Sequence, residues 1–406
     1  MEYVLVNKKT VRKSKEMKTA QKLAKKYFGR VRGKAPKAKI GKIVDITDIS
    51  FVDLTGSGTG EQTDASKCNV PGHIDGSADS AEMITAEDVI RICETHNLTG
   101  RSGNGYPTAA KLRAIQSQDE GHRILIVNGV ECDPGLVHDA WLYRNQFDVV
   151  AQGIEILQEC FPFKESFLAT REPLCRENGD YGFQQVRVPN RFPCGYEKEL
   201  VKFILGTELG EDEYPLDRGI LVINLQTVIA LAEGVYNAGK DTEKPETSVV
   251  DSVQTAENKY LTVANLFTGN AVVVHTPVGK SGEEILHTVF PQNAGLDRKL
   301  YIGGGALNCH ELSKTEAVSQ ETNFLAVGEM PDYSAAANCK GCGGCSRNCP
   351  KGIRVRDLVR EMEKGNTPKA SEFGAQMCIG CGACTYMCQA GKDVRAMVAQ
   401  VKNGEV

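Results

Sequence analysis

Eight cysteines near the end of the chain have the spacing that most directly predicts chemistry. They form two groups, each spaced C-x2-C-x2-C-x3-C: Cys339, Cys342, Cys345 and Cys349, then Cys378, Cys381, Cys384 and Cys388. Thiolates at every third residue of a loop can wrap an iron–sulfur cubane, and the glycines between them leave room for it. Zinc ligation normally takes two separated cysteine pairs. The spacing therefore predicts two [4Fe-4S] clusters and one-electron transfer, with zinc sites or inert thiols as the alternative.

The sharing of ligands between the groups follows from the crossing seen in two-cluster ferredoxins. There the fourth cysteine of each group ligates the partner cluster. We therefore expect one cluster on Cys339, Cys342, Cys345 and Cys388, and the other on Cys378, Cys381, Cys384 and Cys349. Pro350 follows the first group as in that pattern, whereas Gln389 stands in its place after the second. Proline shapes the turn and ligates nothing, so we expect both clusters to form.

Composition indicates the class of protein that carries these cysteines. The 406-residue chain is 41% hydrophobic and 25% charged, which predicts a globular protein of two or three domains and excludes a disordered one. Its 15 cysteines are too few for a disulfide scaffold, its apolar runs are too short to cross a membrane, and no secretory signal opens it. We therefore expect a cytoplasmic protein that reaches a membrane only through other subunits.

The net charge of −4 hides a basic start. Residues 1–42 contain 15 Lys and Arg against Glu2 and Glu16, about +13, so the remaining residues carry about −17. This segment is interpreted either as a solvated charged helix and arm or as a dock for an acidic redox protein or reductase subunit. Few aromatic residues lie among its charges, which argues against nucleic-acid binding.

Alternating helices and strands between these two features predict a parallel α/β sheet. We expect helices at 86–95, 141–158 and 225–235 and strands at 124–128, 167–170 and 220–224. Short β-rich stretches over 249–301 surround a helix at 281–289. Residues 14–28 favour a helix, 43–54 a strand and 53–79 a loop. The scattered histidines form no hydrolytic constellation.

A glycine-rich loop leads into a helix in the α/β region. It contains Gly100, Arg101, Gly103, Gly105 and, one turn into the helix, Lys111. Glycines let backbone amides approach a phosphate, and a helix N-terminus and a lysine both favour an anion. The loop therefore predicts a phosphate site, with a tight structural turn as the alternative.

Three later motifs place this loop in a recognisable order: 127–135 (VNGVECDPG), 193–200 (PCGYEKEL) and 223–227 (INLQT). Together with the loop they resemble the flavin domain shared by the NADH-oxidising subunit of respiratory complex I and by the C subunit of the Rnf complex. That family continues into a β-grasp-like module and then iron–sulfur ligands. Two tandem cysteine groups are similar to the Rnf-type branch. The resemblance covers about residues 80–400.

The resemblance implies roles for single residues. The loop from Gly100 to Lys111 would wrap the ribityl-phosphate arm of FMN. Asn128 and Asn224, at strand ends, would hydrogen-bond the flavin, and Thr227 completes the 223–227 motif that contains Asn224. Glu197 would orient the flavin-side loop. Glu131 and Asp133 would lie beside the nicotinamide of NADH. The alternatives are purely structural roles: Asn128 only caps its turn, and Glu197 only stabilises the first turn of a helix through the helix dipole.

Two departures from the family pattern fall within the loop. Ser102 replaces a glycine and Asn104 an alanine, so side chains stand where the backbone usually meets the ligand. This change predicts either a shifted flavin or an NADH pocket that has been altered or lost.

These expectations combine into one architecture and function. We expect a basic extension and linker (1–80), a Rossmann-like parallel-sheet α/β domain for FMN and NADH (81–245), a small α+β β-grasp-like module (246–330) and a helical two-[4Fe-4S] ferredoxin-type domain (331–406). NADH would reduce FMN, and electrons would pass singly through the first and second clusters to a partner in a multi-subunit complex. The alternatives are reverse flow from ferredoxin to a flavin-reduced substrate, and a flavin-less relay scaffold.

Overall fold

The computed structural model describes most of the chain after residue 83. The described residues are 50–53, 84–102, 105–131, 133, 135–174, 181–189, 193–210, 212–241, 258–268, 270–291, 299–305, 309–313, 315–328 and 336–404. The basic segment, the helix expected at 14–28 and most of the loop expected at 53–79 lie outside them. So do Gly103 and Asn104 in the middle of the glycine-rich loop.

The described strands fall into two sheets. In chain order they are β1 (Ser50–Asp53), β2 (Ile124–Gly129), β3 (Glu165–Thr170), β4 (Gln184–Arg187), β5 (Ile220–Asn224), β6 (Asn258–Asn265), β7 (Asn270–Pro277), β8 (Lys299–Gly303), β9 (His310–Glu311) and β10 (Phe324–Gly328). The first sheet has the order β4-β3-β2-β5, and the second has the order β1-β7-β6-β10-β8-β9.

The described helices pack on the two sheets and make up the end of the chain. They are α1 (Ala86–Thr95), α2 (Thr108–Gln116), α3 (His138–Asn145), α4 (Phe147–Cys160), α5 (Glu197–Leu205), α6 (Leu225–Asp241), α7 (Gly282–Val289), α8 (Gly344–Arg347), α9 (Val355–Glu363), α10 (Thr367–Ser371), α11 (Ala383–Tyr386) and α12 (Val394–Asn403). None of these helices combines the length and the apolar character needed to span a bilayer.

The first sheet confirms the α/β expectation. All of its pairings are parallel, and β5 is buried along its whole length, as expected for a strand covered by helices on both faces. β3 and β4 lie on one side of β2, and the chain then returns to place β5 on the other. The strand order therefore reverses between β2 and β5, which is where open α/β sheets bind ligands.

The single helix expected at 141–158 is wrong in its extent. The structure has α3 and α4, separated at Gln146, whose backbone has φ −122° and ψ 24°. α4 then packs closely on α6 because Gly153 has no side chain: a Cβ there would lie 2.5 Å from Cγ1 of Val228. The break lets Trp141 and Phe147 both enter the same core.

The second sheet is mixed and is joined to the first domain. β6 and β7 form an antiparallel hairpin, α7 covers the sheet, and β1 pairs with β7 in parallel. The backbone N–H of Tyr260 donates to Gln226 of α6 at 2.9 Å, and the hydroxyl of Thr262 accepts from the N–H of Val137 at 2.9 Å. Residues 50–53, which we expected to belong to the N-terminal extension and linker (1–80), therefore form a strand of this sheet. The limits of the domains stay a prediction.

The end of the chain folds as two similar halves. Cys378 follows Cys339 by 39 residues, and the same offset relates two hydrogen bonds: the N–H of Arg356 donates to Ser346 at 2.9 Å, and that of Arg395 donates to Thr385 at 2.7 Å. A shared core of Val355, Leu358, Val394 and other apolar residues packs the halves together. Each half thus presents one cysteine loop in the same local setting.

Candidate functional site

A cavity of about 700 Å³ opens at the carboxyl ends of β2 and β5. This volume is within the range of pockets for cofactors and small ligands. Of the residues expected to bind the flavin, those lining the cavity are Gly100, Lys111, Asn128, Glu197, Asn224 and Thr227. Glu131 and Asp133 line it too. The structure therefore brings together residues that lie more than 120 positions apart in the sequence.

Lys111 forms the cationic part of this cavity. Its ammonium donates to Glu197 at 2.8 Å and to the carbonyl of Val222 at 3.0 Å, which leaves one N–H for a ligand. α2 begins after Pro107 with no side-chain cap, so backbone N–H groups of its first turn have no partner within the helix. A lysine beside an uncapped helix N-terminus suits a phosphate group.

The glycine-rich loop is held in place by contacts with distant parts of the chain. The N–H of Arg101 donates to Thr227 at 3.0 Å, and the carbonyl of Arg101 accepts from Lys259 at 3.0 Å. The Arg101 side chain is buried and near Glu233, and burial lowers its pKa to about 10. Burial also lowers the pKa of Lys259 well below its usual value. Arg101 and Thr227 therefore shape the loop, while Ser102 lines the cavity.

The two asparagines at the strand ends are engaged within the protein. Asn128 accepts from the N–H of Val130 at 3.0 Å and donates to the carbonyl of Gly195 at 2.9 Å. Asn224 accepts from the N–H of Gln226 at 2.9 Å and donates to Asp139 at 3.0 Å. Both line the cavity, so they hold its strand ends in place. Direct hydrogen bonds from them to a flavin stay a prediction.

Acidic side chains occupy one wall of the cavity. Oε1 of Glu131 lies 3.3 Å from Nδ1 of His138, and Oδ1 of Asp139 lies 3.7 Å from Nε2 of the same ring. Burial raises the pKa of Asp139 and of Asp133 to about 6 and lowers the pKa of His138 to about 4. Burial also raises the pKa of Glu131 above its usual range. Burial therefore makes these carboxyl groups harder to ionise and keeps the His138 ring neutral near pH 7.

Several buried oxygens on this wall have no hydrogen-bond partner among the described residues: Oε2 of Glu131, Oδ1 of Asp133, Oδ1 of Asp139 and Oδ1 of Asn323. An unpartnered buried acceptor is costly unless a ligand or water supplies a donor. The N–H groups of a flavin ring or a nicotinamide amide are donors of this kind. The lining of the cavity therefore fits the expected ligands on both sides: cations at α2 and acceptors on the acidic wall.

The raised pKa of Asp139 predicts a pH dependence of stability. The folded protein keeps a proton on this carboxyl that the unfolded chain releases between about pH 4 and 6, so Asp139 lowers the free energy of unfolding as the pH rises through that window. Asp139→Asn keeps an oxygen that can accept from Asn224. We expect the free energy of unfolding of this variant, relative to that of the unchanged protein, to rise by about 1–3 kcal/mol as the pH rises from 4 to 7. Urea unfolding at several pH values measures this, with the exposed Asp212→Asn as control; a pH-independent difference would contradict it.

Cysteines from the two groups, which are distant in the sequence, lie close together in the structure. A small cavity of about 20 Å³ is lined by Cys349 together with Cys378, Cys381 and Cys384. Burial, together with the nearby thiols of Cys388, Cys339 and Cys342, raises the pKa of Cys345 to about 11. The two neighbourhoods correspond to the expected crossing, although the ligand assignment itself stays a prediction.

The arrangement of these thiols suits a cluster. Among the described residues no three His, Cys, Asp or Glu side chains are arranged around a single metal ion. In a cubane each thiolate binds a different iron, so the four sulfurs surround a volume instead of meeting at one point. A cavity enclosed by four cysteines on two segments fits that requirement.

The large cavity adjoins one of the two cysteine sites. Pro350, Lys351 and Ile379 line both the large and the small cavity, and Asp133 is close enough to Cys381 to raise the pKa of its thiol further after burial. None of the residues expected to hold the other cluster lines the large cavity. The site built on Cys349 and the second group is therefore the one beside the ligand pocket, although it comes second in the sequence.

Sequence reasoning missed four residues of this region: His138, Lys259, Asn323 and Lys351. His138 directly precedes Asp139, so a search for titratable groups near the 127–135 motif could have found it. Lys259, Asn323 and Lys351 come from other parts of the fold, and no local pattern marks them.

Comparison with known proteins identifies two domains. The model of the Nuo51 FMN-binding domain matches residues 93–233, and the model of the 4Fe-4S dicluster domain matches residues 325–392. The first match contains the motif residues that line the large cavity, and the second contains all eight cysteines of the two groups.

Curated relatives extend over most of the chain. The C subunit of the ion-translocating oxidoreductase complex of Rhodobacter capsulatus is 28% identical over 305 residues, covering 72% of this chain and 55% of the relative. The corresponding subunits of Pseudomonas aeruginosa (28%) and Vibrio cholerae (25%) cover 64% and 68% of this chain but 32% and 35% of their own lengths. The chain thus spans between about a third and just over half of the relatives it matches.

Solved structures share the fold. A chain of the NAD⁺-reducing [NiFe]-hydrogenase in the H2-reduced state matches with a TM-score of 0.55 and 16% identity, covering 78% of this chain and 62% of that one. At this identity the match carries the fold alone. The two domain matches and the curated relatives show that this chain joins a Nuo51-type FMN-binding domain to a 4Fe-4S dicluster domain and is related to the C subunits of Rnf-type ion-translocating oxidoreductase complexes.

Proposed function

We propose that this chain takes a hydride from NADH at an FMN site in the large cavity and passes electrons singly, through the two cysteine sites, to a partner protein. The observation that carries the proposal is the shared wall: the cavity that holds the flavin motif residues is also lined by Pro350, Lys351 and Ile379, which flank cysteines of the second site. A bound flavin accepts two electrons together and donates them singly, which links a hydride donor to one-electron clusters.

Different residues would bind different parts of the two ligands. Lys111 and the N-terminus of α2 hold the phosphate arm, and Arg101, Thr227 and Lys259 fix the loop beside it. Glu131 and Asp133, which line the same cavity, would accept hydrogen bonds from the nicotinamide. Ser102 lines the same cavity, so its side chain would lie beside the bound group.

The relatives support a place in a larger assembly. They are named as subunits of ion-translocating oxidoreductase complexes, and they are longer than the part this chain matches. We propose that this chain also works with other subunits, which supply any contact with a membrane and the final acceptor.

Anaerobic titration tests the donor. A sample of the reconstituted protein is first extracted with acid, and release of about one FMN per chain is expected. The intact protein is then titrated with NADH, and we expect the visible flavin band to bleach. Extractable FMN without bleaching by NADH would refute NADH as the donor. Bleaching by reduced ferredoxin alone would instead support flow in the reverse direction.

A further inference from the structure

The charge of the dicluster region differs from that of the rest of the chain. Residues 336–404 contain eleven Lys and Arg against five Asp and Glu, a net charge of +6, whereas the full chain carries −4. The basic segment 1–42 is therefore not the only candidate for an electrostatic contact. Within the described residues, the question is where this positive charge lies relative to the two cysteine sites.

Three cations surround the loop of the first cysteine group. A methyl group placed on Gly343 would lie 2.9 Å from Nη1 of Arg347 and 3.9 Å from Nη1 of Arg356. Lys340 lies between the first two cysteines of the loop and donates to the carbonyl of Gln389 at 3.2 Å. Both guanidinium groups and this ammonium therefore border the site expected on Cys339, Cys342, Cys345 and Cys388.

These cations are accessible and only partly neutralised. Lys340 and Arg347 are exposed, and within the described part of the chain neither forms an ion pair. Arg356 is half-exposed and shares Asp357 with Arg354. We call Lys340, Arg347 and Arg356 the first-loop patch.

The position of the first-loop patch matters because the other cysteine site faces inward. Pro350, Lys351 and Ile379 of that site line the large cavity, whereas the first-loop patch does not. Asp133 adds negative charge beside Cys381 on the inner side. The molecule therefore has a ligand pocket beside one cysteine site and an exposed positive surface beside the other.

We propose that the first-loop patch docks an acidic one-electron carrier protein over the site formed by Cys339, Cys342, Cys345 and Cys388. This inference rests on the proposed function for the role of the carrier, but the contact itself is a matter of charge. A positive surface around a redox site attracts a negative partner, orients it and raises its association rate. A basic carrier would be repelled at the same surface.

Binding to two probe proteins tests the docking surface. The reconstituted full chain is titrated with oxidised plant-type [2Fe-2S] ferredoxin, an acidic carrier, and with cytochrome c, a basic one, at low salt and at about 0.15 M ionic strength. We expect binding to ferredoxin that weakens with salt, and weaker or no binding to cytochrome c. In the double variant Lys340→Glu, Arg347→Glu we expect ferredoxin to associate at least about tenfold more slowly.

A matched variant separates local charge from total charge. Arg91→Glu, Lys299→Glu changes the net charge equally at exposed positions outside the dicluster region, and its association rate should stay within about twofold of the unchanged protein. The milder Arg347→Gln serves if the double reversal loses iron. An equal loss in both double variants, an unchanged rate in the patch variant, or preference for cytochrome c would each overturn the proposal.

The outcome is independent of the donor. Bleaching by NADH with no effect of the patch variants would refute the docking surface and leave the proposed function standing. Selective loss of ferredoxin binding in the patch variant, in protein that NADH does not bleach, would support the docking surface and refute NADH as the donor. Iron content measured on every variant shows that the cysteine sites themselves are unchanged.

Discussion

Replacing Cys349 and Cys378 together with alanine is expected to remove one iron–sulfur cluster, whereas replacing Cys345 and Cys349 together is expected to remove both. The first pair would belong to a single cluster and the second pair to two, although Cys345 and Cys349 are only four residues apart. Iron and acid-labile sulfide in the anaerobically reconstituted protein should therefore be about four per chain in the first variant and near zero in the second, against about eight in the unchanged protein.

The expectation follows from the thiol neighbourhoods. Cys349 lines the same small cavity as Cys378, and the thiol of Cys388 contributes to the raised pKa of Cys345. The pair Cys345→Ala, Cys388→Ala is the matched control and should retain about four irons. If each group held its own cluster, the results for the first two variants would be exchanged, so the outcome decides between the two assignments.

Replacing Lys111 with methionine is expected to weaken FMN binding by about 10- to 100-fold. The ammonium is mostly buried at the cavity, is held by Glu197 and Val222, and has one N–H left for the ligand. A hydrogen bond to a charged group contributes about 1.5–3 kcal/mol, which corresponds to this range. Methionine keeps the length and the helix propensity of the side chain. Fluorescence titration of the flavin-free protein with FMN measures the dissociation constant.

A control on the same helix shows whether the effect is local. Arg113 is exposed on α2 and pairs with Glu87 and Glu94, away from the cavity lining. Arg113→Met removes one positive charge from the same helix and should leave the dissociation constant within about twofold, since exposed ion pairs contribute little. Equal weakening by both variants, or none by Lys111→Met, would contradict the role of Lys111 in the phosphate site.

Much of the first domain could be predicted because its signals are local. The β-branched run Ile220–Asn224 became a buried strand with the expected bounds, and α1 begins at the capping box of Thr85 and Asp88. The break at Gln146 could not be predicted, because neither Gly nor Pro marks it. Tertiary packing accompanies it, since Trp141 before the break and Phe147 after it are both buried in the same core.

The candidate site was predictable only where a motif carries it. Gly100, Lys111 and the acids of the 127–135 segment stand in recognisable runs, and the structure places them around one cavity. Lys259 is 158 residues from Arg101, whose carbonyl it supports. Nothing in the sequence around Lys259 specifies that contact, because it depends on how the second sheet packs against the first.

The pairing of β1 with β7 changes how the chain is divided. Residues on both sides of the flavin domain contribute strands to the second sheet, so the flavin domain is an insertion within that sheet's sequence. The FMN-binding fold is therefore bounded on both sides, along the chain, by strands of one sheet. Gly304 and Asn323, which lie next to β8 and β10 of that sheet, line the same cavity as Gly100 and Ser102 of the glycine-rich loop, so this insertion builds one ligand site from both sheets.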